Sequence, residues 1–309
     1  MPTFPSAPSL RPHLARVALA RVALARAALA LAALAVAALG TPRPAAAEDT
    51  VPAVVRIATE GAYAPYNFTK PDGSLDGYEI ELAREICKRA KLTCEFVVQD
   101  WDGVVPGLQA KKFDAIMSGM TITEARQKVI DFTRPYSGDF SGLAVDADGP
   151  LAKLPLGDQK LSLATDEAQA QKAIDAIKPL LKGKTIGAQV STIHANFLDK
   201  YLKGTVEIRE YKTTEQHDLD LAAGRIDGIL ANDAVLRATA EKPEFKGSIV
   251  LAGPRFRGGI LGRGVAMGLR KGEAALKARL DEGIGAVIAD GTLKTLSIKW
   301  FKVDMTPSE

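Results

Sequence analysis

Six residue types between Val54 and Arg126 could together hold a small zwitterion with a cationic tail. Arg126 offers a planar fork of donors for a carboxylate, and the hydroxyls of Ser118 and Thr121 can fill that carboxylate's remaining lone pairs. The faces of Tyr63 and Trp101 suit an aliphatic stem, and Glu60 is an acid for the far cation. Taken singly, each residue has a blander reading. An arginine in a helix is usually a solvated charge, an aromatic is usually packing, and an acid that closes a strand usually faces water.

Such a set needs elements to bring it together. The chain reads as a strand over Val54–Ala58, an amphipathic helix over Tyr78–Ala90 and a strand over Thr93–Val98. A helix over Gly103–Ala110 follows, with Pro106 tolerated in its first turn, and then a strand over Phe113–Met117. Thr123 is a candidate cap for a helix that carries Arg126 in its first turn, where free amides add donors for an anion. Leu143–Val145 reads as a strand, the chain to Ser162 as irregular, Thr165–Leu181 as helix and Thr185–Gln189 as strand. This alternation predicts an α/β protein of mostly parallel sheets covered by helices. Leu108–Met117 (LQAKKFDAIM) is echoed by Leu221–Leu230 (LAAGRIDGIL), which suggests two similar lobes. Ligands bind beyond the carboxyl ends of strands in such sheets. Glu60 and Gln189, which close strands, would then meet Ser118-Gly119 and Asn232-Asp233, which follow the echoed strands.

Residues 1–47 read as an export leader rather than as part of the fold. They carry Arg11, Arg16, Arg21, Arg26 and Arg43, no acid, and a 13-residue apolar run from Ala27 to Leu39. A helical break at Gly40, Pro42 and Pro44 precedes Ala45-Ala46-Ala47, a small-residue cleavage signal, so cleavage is expected after Ala47. The whole chain has 40 basic and 37 acidic residues, and loss of those five arginines leaves 35 against 37. No basic surplus then remains to argue for a nucleic-acid partner. Cys87 and Cys94 are the only cysteines, near a helix end, and an oxidising compartment would join them across a short loop. His194 and His217 have no partner at metal-ligand spacing, and no metal is expected.

The order and spacing of Val54–Phe68 and Ile116–Arg126 resemble the periplasmic solute-binding proteins for polar amino acids, above all the lysine/arginine/ornithine and opine (nopaline/octopine) branch. The resemblance runs from about Val54 to Phe301. It implies a two-lobed periplasmic-binding-protein type II fold, each lobe a mostly parallel sheet flanked by helices. Lobe 1 would comprise 51–139 plus 263–309 and lobe 2 140–262, with hinge crossings near Ser137–Ser141 and Leu261–Gly264. It implies ligand contacts from Glu60, Tyr63, Trp101, Ser118, Gly119, Thr121 and Arg126 in lobe 1. From lobe 2 it implies Ser141, Gln189, Thr192, His194 and Asn232. One departure stands out: the family's acceptor for the α-ammonium is usually Asp and falls here on Asn232, with Asp233 next to it. A neutral acceptor suits the substituted amine of an opine better than a primary ammonium. The implied protein is a monomeric, cofactor-free periplasmic component of an ABC importer, working with an inner-membrane permease and its ATPase. It would bind a cationic amino acid or an arginine-derived opine. The alternatives on the same fold are a periplasmic enzyme similar to cyclohexadienyl dehydratase, using Glu60 or His194 as acid or base, and a sensor or interaction protein without transport.

Overall fold

The chain was analysed as a computed structural model, which describes Thr3, residues 50–138 and residues 140–307. The expected leader and its cleavage point after Ala47 lie outside the described stretch from residue 50 onward.

Two sheets organise the molecule. The first runs in the order Cys94–Val98, Val55–Thr59, Ala115–Ile116, Gly268–Leu269, Asp131–Phe132. Its first three strands are parallel and its last two antiparallel to their neighbours. The second runs Glu207–Tyr211, Thr185–Gln189, Gly228–Asn232, Ser141–Asp146, Ile249–Arg257, Lys160–Ser162. Again the first three are parallel, and Ser141–Asp146 is antiparallel to both of its neighbours. The sheets are therefore mixed: parallel pairing holds where a helix carries the chain back over the sheet, and antiparallel pairing appears where the chain enters or leaves it. The internal echo is real at this level. Each echoed segment ends in the third strand of a parallel trio whose middle strand comes first in sequence.

The elements follow from side-chain spacing. The helix Tyr78–Arg89 buries Tyr78, Leu82, Ile86 and their neighbours at intervals of three and four, against Ile57, Leu280 and Ile284. In the second lobe the helix Glu167–Leu181 turns Ala170, Ile174, Ile177 and Leu181 into a core with Val145, Ile186 and Leu198. The helix expected over Gly103–Ala110 divides into a short 3-10 turn, Trp101–Gly103, and an α-helix, Val104–Gln109. The stretch expected to be irregular up to Ser162 contains a 3-10 turn, Pro150–Lys153, and the strand Lys160–Ser162, which pairs in parallel with Arg255–Arg257. Three residues carry no periodicity of their own, and long-range pairing creates this strand.

The chain passes between the sheets twice, after Asp131–Phe132 and before Gly268–Leu269. The two passages lie side by side, for the Val265 amide donates to the Ser137 carbonyl at 2.8 Å. Gly262 there has φ +75°, and a Cβ would collide with the Ile122 carbonyl, so the close approach needs glycine. Cys87 and Cys94 form a disulfide between the helix Tyr78–Arg89 and the edge strand Cys94–Val98. Closing this short loop restricts the unfolded chain by about 2–3 kcal/mol. Replacing both cysteines with serine should lower unfolding stability by about that amount while leaving ligand affinity unchanged, since the bridge lies at the amino end of its strand, opposite the carboxyl ends that face the cleft. Denaturant unfolding and calorimetric titration of the variant check both halves.

Candidate functional site

A cleft opens where the carboxyl ends of the two parallel trios face each other. Glu60 follows Val55–Thr59 directly, and its amide donates to Ser118 Oγ at 2.9 Å, joining the ends of two first-sheet strands. Beneath them lies Glu79, wholly buried at the start of its helix. Its Oε1 accepts from the Gly119 amide at 2.7 Å and from the Tyr136 hydroxyl, and its Oε2 from Asn67 Nδ2 at 2.6 Å. Asn67 Oδ1 in turn accepts from the Gly61 amide at 2.8 Å. One buried carboxyl thus fixes both cleft-facing turns, the one after Glu60 and the one after Ser118. Gly119 is required there: φ is +60° and a Cβ would sit 2.7 Å from the Tyr63 ring.

Arg126 lies in the single-turn helix Glu124–Gln127, whose cap is Thr123, as expected: Thr123 Oγ1 accepts from the Arg126 amide at 3.2 Å. The Arg126 guanidinium donates to the Thr121 carbonyl at 3.0 Å and stacks over Trp101, 5.1 Å from the ring centre. It makes no ion pair among the described residues, and burial pulls its pKa down to about 10, still charged at neutral pH. As a whole residue Arg126 is only half-buried. Its Nη2 also approaches the Ser191 carbonyl of the second lobe, at 3.5 Å.

The second lobe supplies the opposite wall. Gln189 closes Thr185–Gln189 and donates through Nε2 to Glu60 Oε1 at 2.6 Å and to the Lys212 carbonyl at 3.0 Å. Thr192 caps the helix Ile193–Leu202 and donates its hydroxyl to the Gln189 carbonyl at 2.6 Å. Its side chain is therefore committed to the fold, and a ligand would meet its backbone. His194 is buried, with Nε2 3.0 Å from Ser141 Oγ. Burial, with smaller contributions from the neighbouring His217 and Arg126, pushes its pKa down to about 3, so it is neutral across the physiological range. Asn232 caps Asp233–Glu241 through Oδ1, which accepts from the Ala234 amide at 3.1 Å.

Eleven of the twelve site residues singled out in the sequence line one cavity: Glu60, Tyr63, Trp101, Ser118, Gly119, Thr121, Arg126, Gln189, Thr192, His194 and Asn232. Ser141 is the exception. It lines a neighbouring cavity of about 280 Å³ that meets the first at Thr121, Ile193 and Asn232, and it reaches the first wall through His194 and through its ladder partner Asn232. Asp233 turns away from both. Its two carboxylate oxygens accept from Arg255 at 2.6 Å and Arg237 at 2.9 Å. Asn232, not Asp233, is thus the one of the pair that lines the cavity. The sequence reading missed Ile193, Thr214, His217, Leu230 and Ala231. For Thr214 and His217 a signal was present: the Thr213–Gln216 capping box starts a helix just beyond the strand Glu207–Tyr211, with both residues on one face. Among the described residues no group of three His, Cys, Asp or Glu side chains could hold a metal ion.

The two-lobed α/β fold agrees with the comparisons. The profile of the bacterial extracellular solute-binding proteins, family 3, matches residues 55–303. The chain belongs to this family. The octopine-binding periplasmic protein of Rhizobium meliloti is 46% identical over 271 residues, which cover 82% of this chain and 92% of that protein. The lysine/arginine/ornithine-binding periplasmic protein of Escherichia coli K12 is 33% identical over 264 residues, 83% of this chain and 91% of that one. Among solved structures, a His/Glu/Gln/Arg/opine family-binding protein from Silicibacter pomeroyi in complex with lysine superposes with TM-score 0.66. It is 34% identical, over 82% of this chain and all of that one.

The cleft acid generates a pH prediction. Glu60 is almost fully buried, and its pKa is raised to about 7, first by burial and further by Asp100, Glu79 and Asp102, against the lowering bond from Gln189. Because the folded pKa lies above the unfolded value, the protein without ligand loses stability as pH rises from about 4.5 through 7, by on the order of 3 kcal/mol from this group. Glu60→Gln should therefore be more stable than the wild type at pH 8, with the gap closing near pH 4.5. Thermal unfolding of both proteins across that range measures it, and a pH-independent difference would show that Glu60 does not titrate there.

Proposed function

We propose that this protein is the periplasmic solute-binding component of an ABC importer and that its ligand is arginine-like, an arginine-derived opine foremost. The observation that carries this reading is the pairing of charges across one cleft: a buried acid at Glu60 and an enclosed guanidinium without an anion at Arg126. An α-carboxylate would sit at Arg126 with Ser118, Thr121 and the Thr192 backbone, a stem between Tyr63 and Trp101, and a cationic group at Glu60. The likeness to octopine- and lysine/arginine/ornithine-binding proteins supports the same class. For an opine over a free amino acid, two features speak. The acceptor at the α-nitrogen is the neutral Asn232, and the adjoining cavity of about 280 Å³ has Ser141, Arg257 and Arg263 on its wall for a second carboxylate.

The free space of the main cavity is only about 40 Å³, because Arg126 lies on Trp101 and Gln189 bridges to Glu60. Entry of a ligand therefore requires the lobes to part and the guanidinium to leave the indole face. We place the lobes at 51–139 plus 263–309 and at 140–262, hinged where Ser137 and Val265 pair. The leader at 1–47, export to the periplasm, the permease and its ATPase complete the proposal. The named relatives are binding proteins, and no reaction is proposed for this cleft.

Calorimetric titration with octopine, arginine, lysine, ornithine and histidine, on protein unfolded and refolded to strip bound ligand, tests the reading. Binding of octopine or arginine supports it, and a flat response to all five overturns it. Arg126→Ala should cost about 2–5 kcal/mol of affinity by leaving the ligand carboxylate unpaired, and Arg126→Lys should recover only part of this. Asn232→Asp should shift preference from octopine toward arginine by about 1–3 kcal/mol, as a charged acceptor favours a primary ammonium. Equal affinities in all three variants and the wild type would remove Arg126 and Asn232 from the site.

A further inference from the structure

His217 lies on the helix Thr214–Ala222 and forms part of the cleft wall, yet it is only 1% exposed and neither of its ring nitrogens has a hydrogen-bond partner. A buried imidazole left unsatisfied costs about 1–3 kcal/mol relative to a bonded one, and on a cavity wall a molecule in the cavity can supply the missing partner. The surroundings indicate which nitrogen faces that partner. Asp218 Oδ1 lies 3.0 Å from Nδ1, although the approach is too bent for a hydrogen bond, while Asp218 Oδ2 accepts from Thr239 Oγ1 at 2.8 Å. A carboxylate beside Nδ1 favours the tautomer with hydrogen on that atom, which leaves Nε2 as an acceptor.

Its place along the cleft is set by its neighbours. Thr214, three residues earlier on the same helical face, approaches the Ala62 carbonyl at 3.4 Å, and Gln189 ties Glu60 to the Lys212 carbonyl just before this helix. His217 therefore belongs to the Glu60 end of the cavity. One oxygen of Glu60 is already engaged by Gln189. A guanidinium brings five N–H donors in a rigid plane and needs acceptors on more than one side, whereas an ammonium concentrates three donors at one point.

We propose that His217 is a direct ligand contact whose Nε2 accepts an N–H of a guanidino tail beside Glu60, and that Asp218 is its positioning residue. This makes the far end of the cleft selective for guanidino over ammonium tails. The inference rests on the cationic-tail reading above and adds to it a residue and a preference.

The test is calorimetric titration of the wild type, His217→Leu and His217→Gln with two matched pairs, arginine with lysine and octopine with its lysine-derived counterpart. In His217→Leu the guanidino ligands should weaken about tenfold or more, the loss of one hydrogen bond, and the ammonium ligands by less than about threefold. His217→Gln, which keeps an acceptor, should recover most of the guanidino affinity. Thermal stability without ligand should be retained in His217→Leu, because the imidazole has no hydrogen bond to lose. Should that variant not fold, His217→Met takes its place. Where ammonium ligands bind too weakly to measure even in the wild type, the contrast between the apolar and Gln variants on the guanidino ligands decides. Unchanged guanidino affinity in the apolar variant, equal losses for both tails, or no recovery in His217→Gln overturns the role of His217 and leaves the proposed function standing. A wild type that binds no guanidino ligand overturns both.

Discussion

The architecture turns on one buried contact, the 2.6 Å bond from Gln189 to Glu60 where the ends of the two sheets meet. A carboxyl enclosed at that point is costly, and its raised pKa records the cost. Burying it is tolerable only because the scaffold holds it rigidly: its own amide is fixed to Ser118, and Glu79 fixes the turns on either side. An acid held this way is partly desolvated before any ligand arrives, so an incoming cation gains more from it than from an exposed carboxylate. The exposed bridge between Lys212 and Asp100, which also spans the cleft, is solvated on both sides and contributes little by comparison.

Much of this was legible in the residues, for identifiable reasons. Parallel trios announce themselves through apolar strands separated by amphipathic helices, and the echo of Leu108–Met117 by Leu221–Leu230 exposed the repeated layout. The cleft residues that follow those strands came with it. What could not be read was anything set by partners distant in the chain. The strand Lys160–Ser162 exists because Arg255–Arg257 pairs with it. His217 looked like an isolated histidine because the Thr213–Gln216 capping box marks where its helix starts and not which face of that helix closes the cleft. Glu79 sits inside an ordinary amphipathic helix, and only the packing reveals that it anchors two cleft-facing turns.

The choice between Asn232 and Asp233 shows the same limit resolved by geometry. Side by side in sequence, the two are equal candidates for the α-nitrogen. Packing separates them: Asp233 is claimed by Arg255 and Arg237, two cations that offset the desolvation cost of its buried carboxylate, and Asn232 is left at the junction of the two cavities. A neutral group at that junction offers no charge to a primary ammonium, and the proposal of an opine ligand rests on this feature.

The central claim is that Glu60 recognises a positive tail by direct charge pairing. A thermodynamic cycle isolates that term: wild type and Glu60→Gln, each titrated with arginine and with citrulline, its neutral ureido counterpart. The account predicts a coupling free energy of about 2 kcal/mol or more between the carboxylate and the guanidinium. A wild type that binds arginine with a coupling near zero would contradict it, because the charge at Glu60 would then not be what the ligand's tail meets.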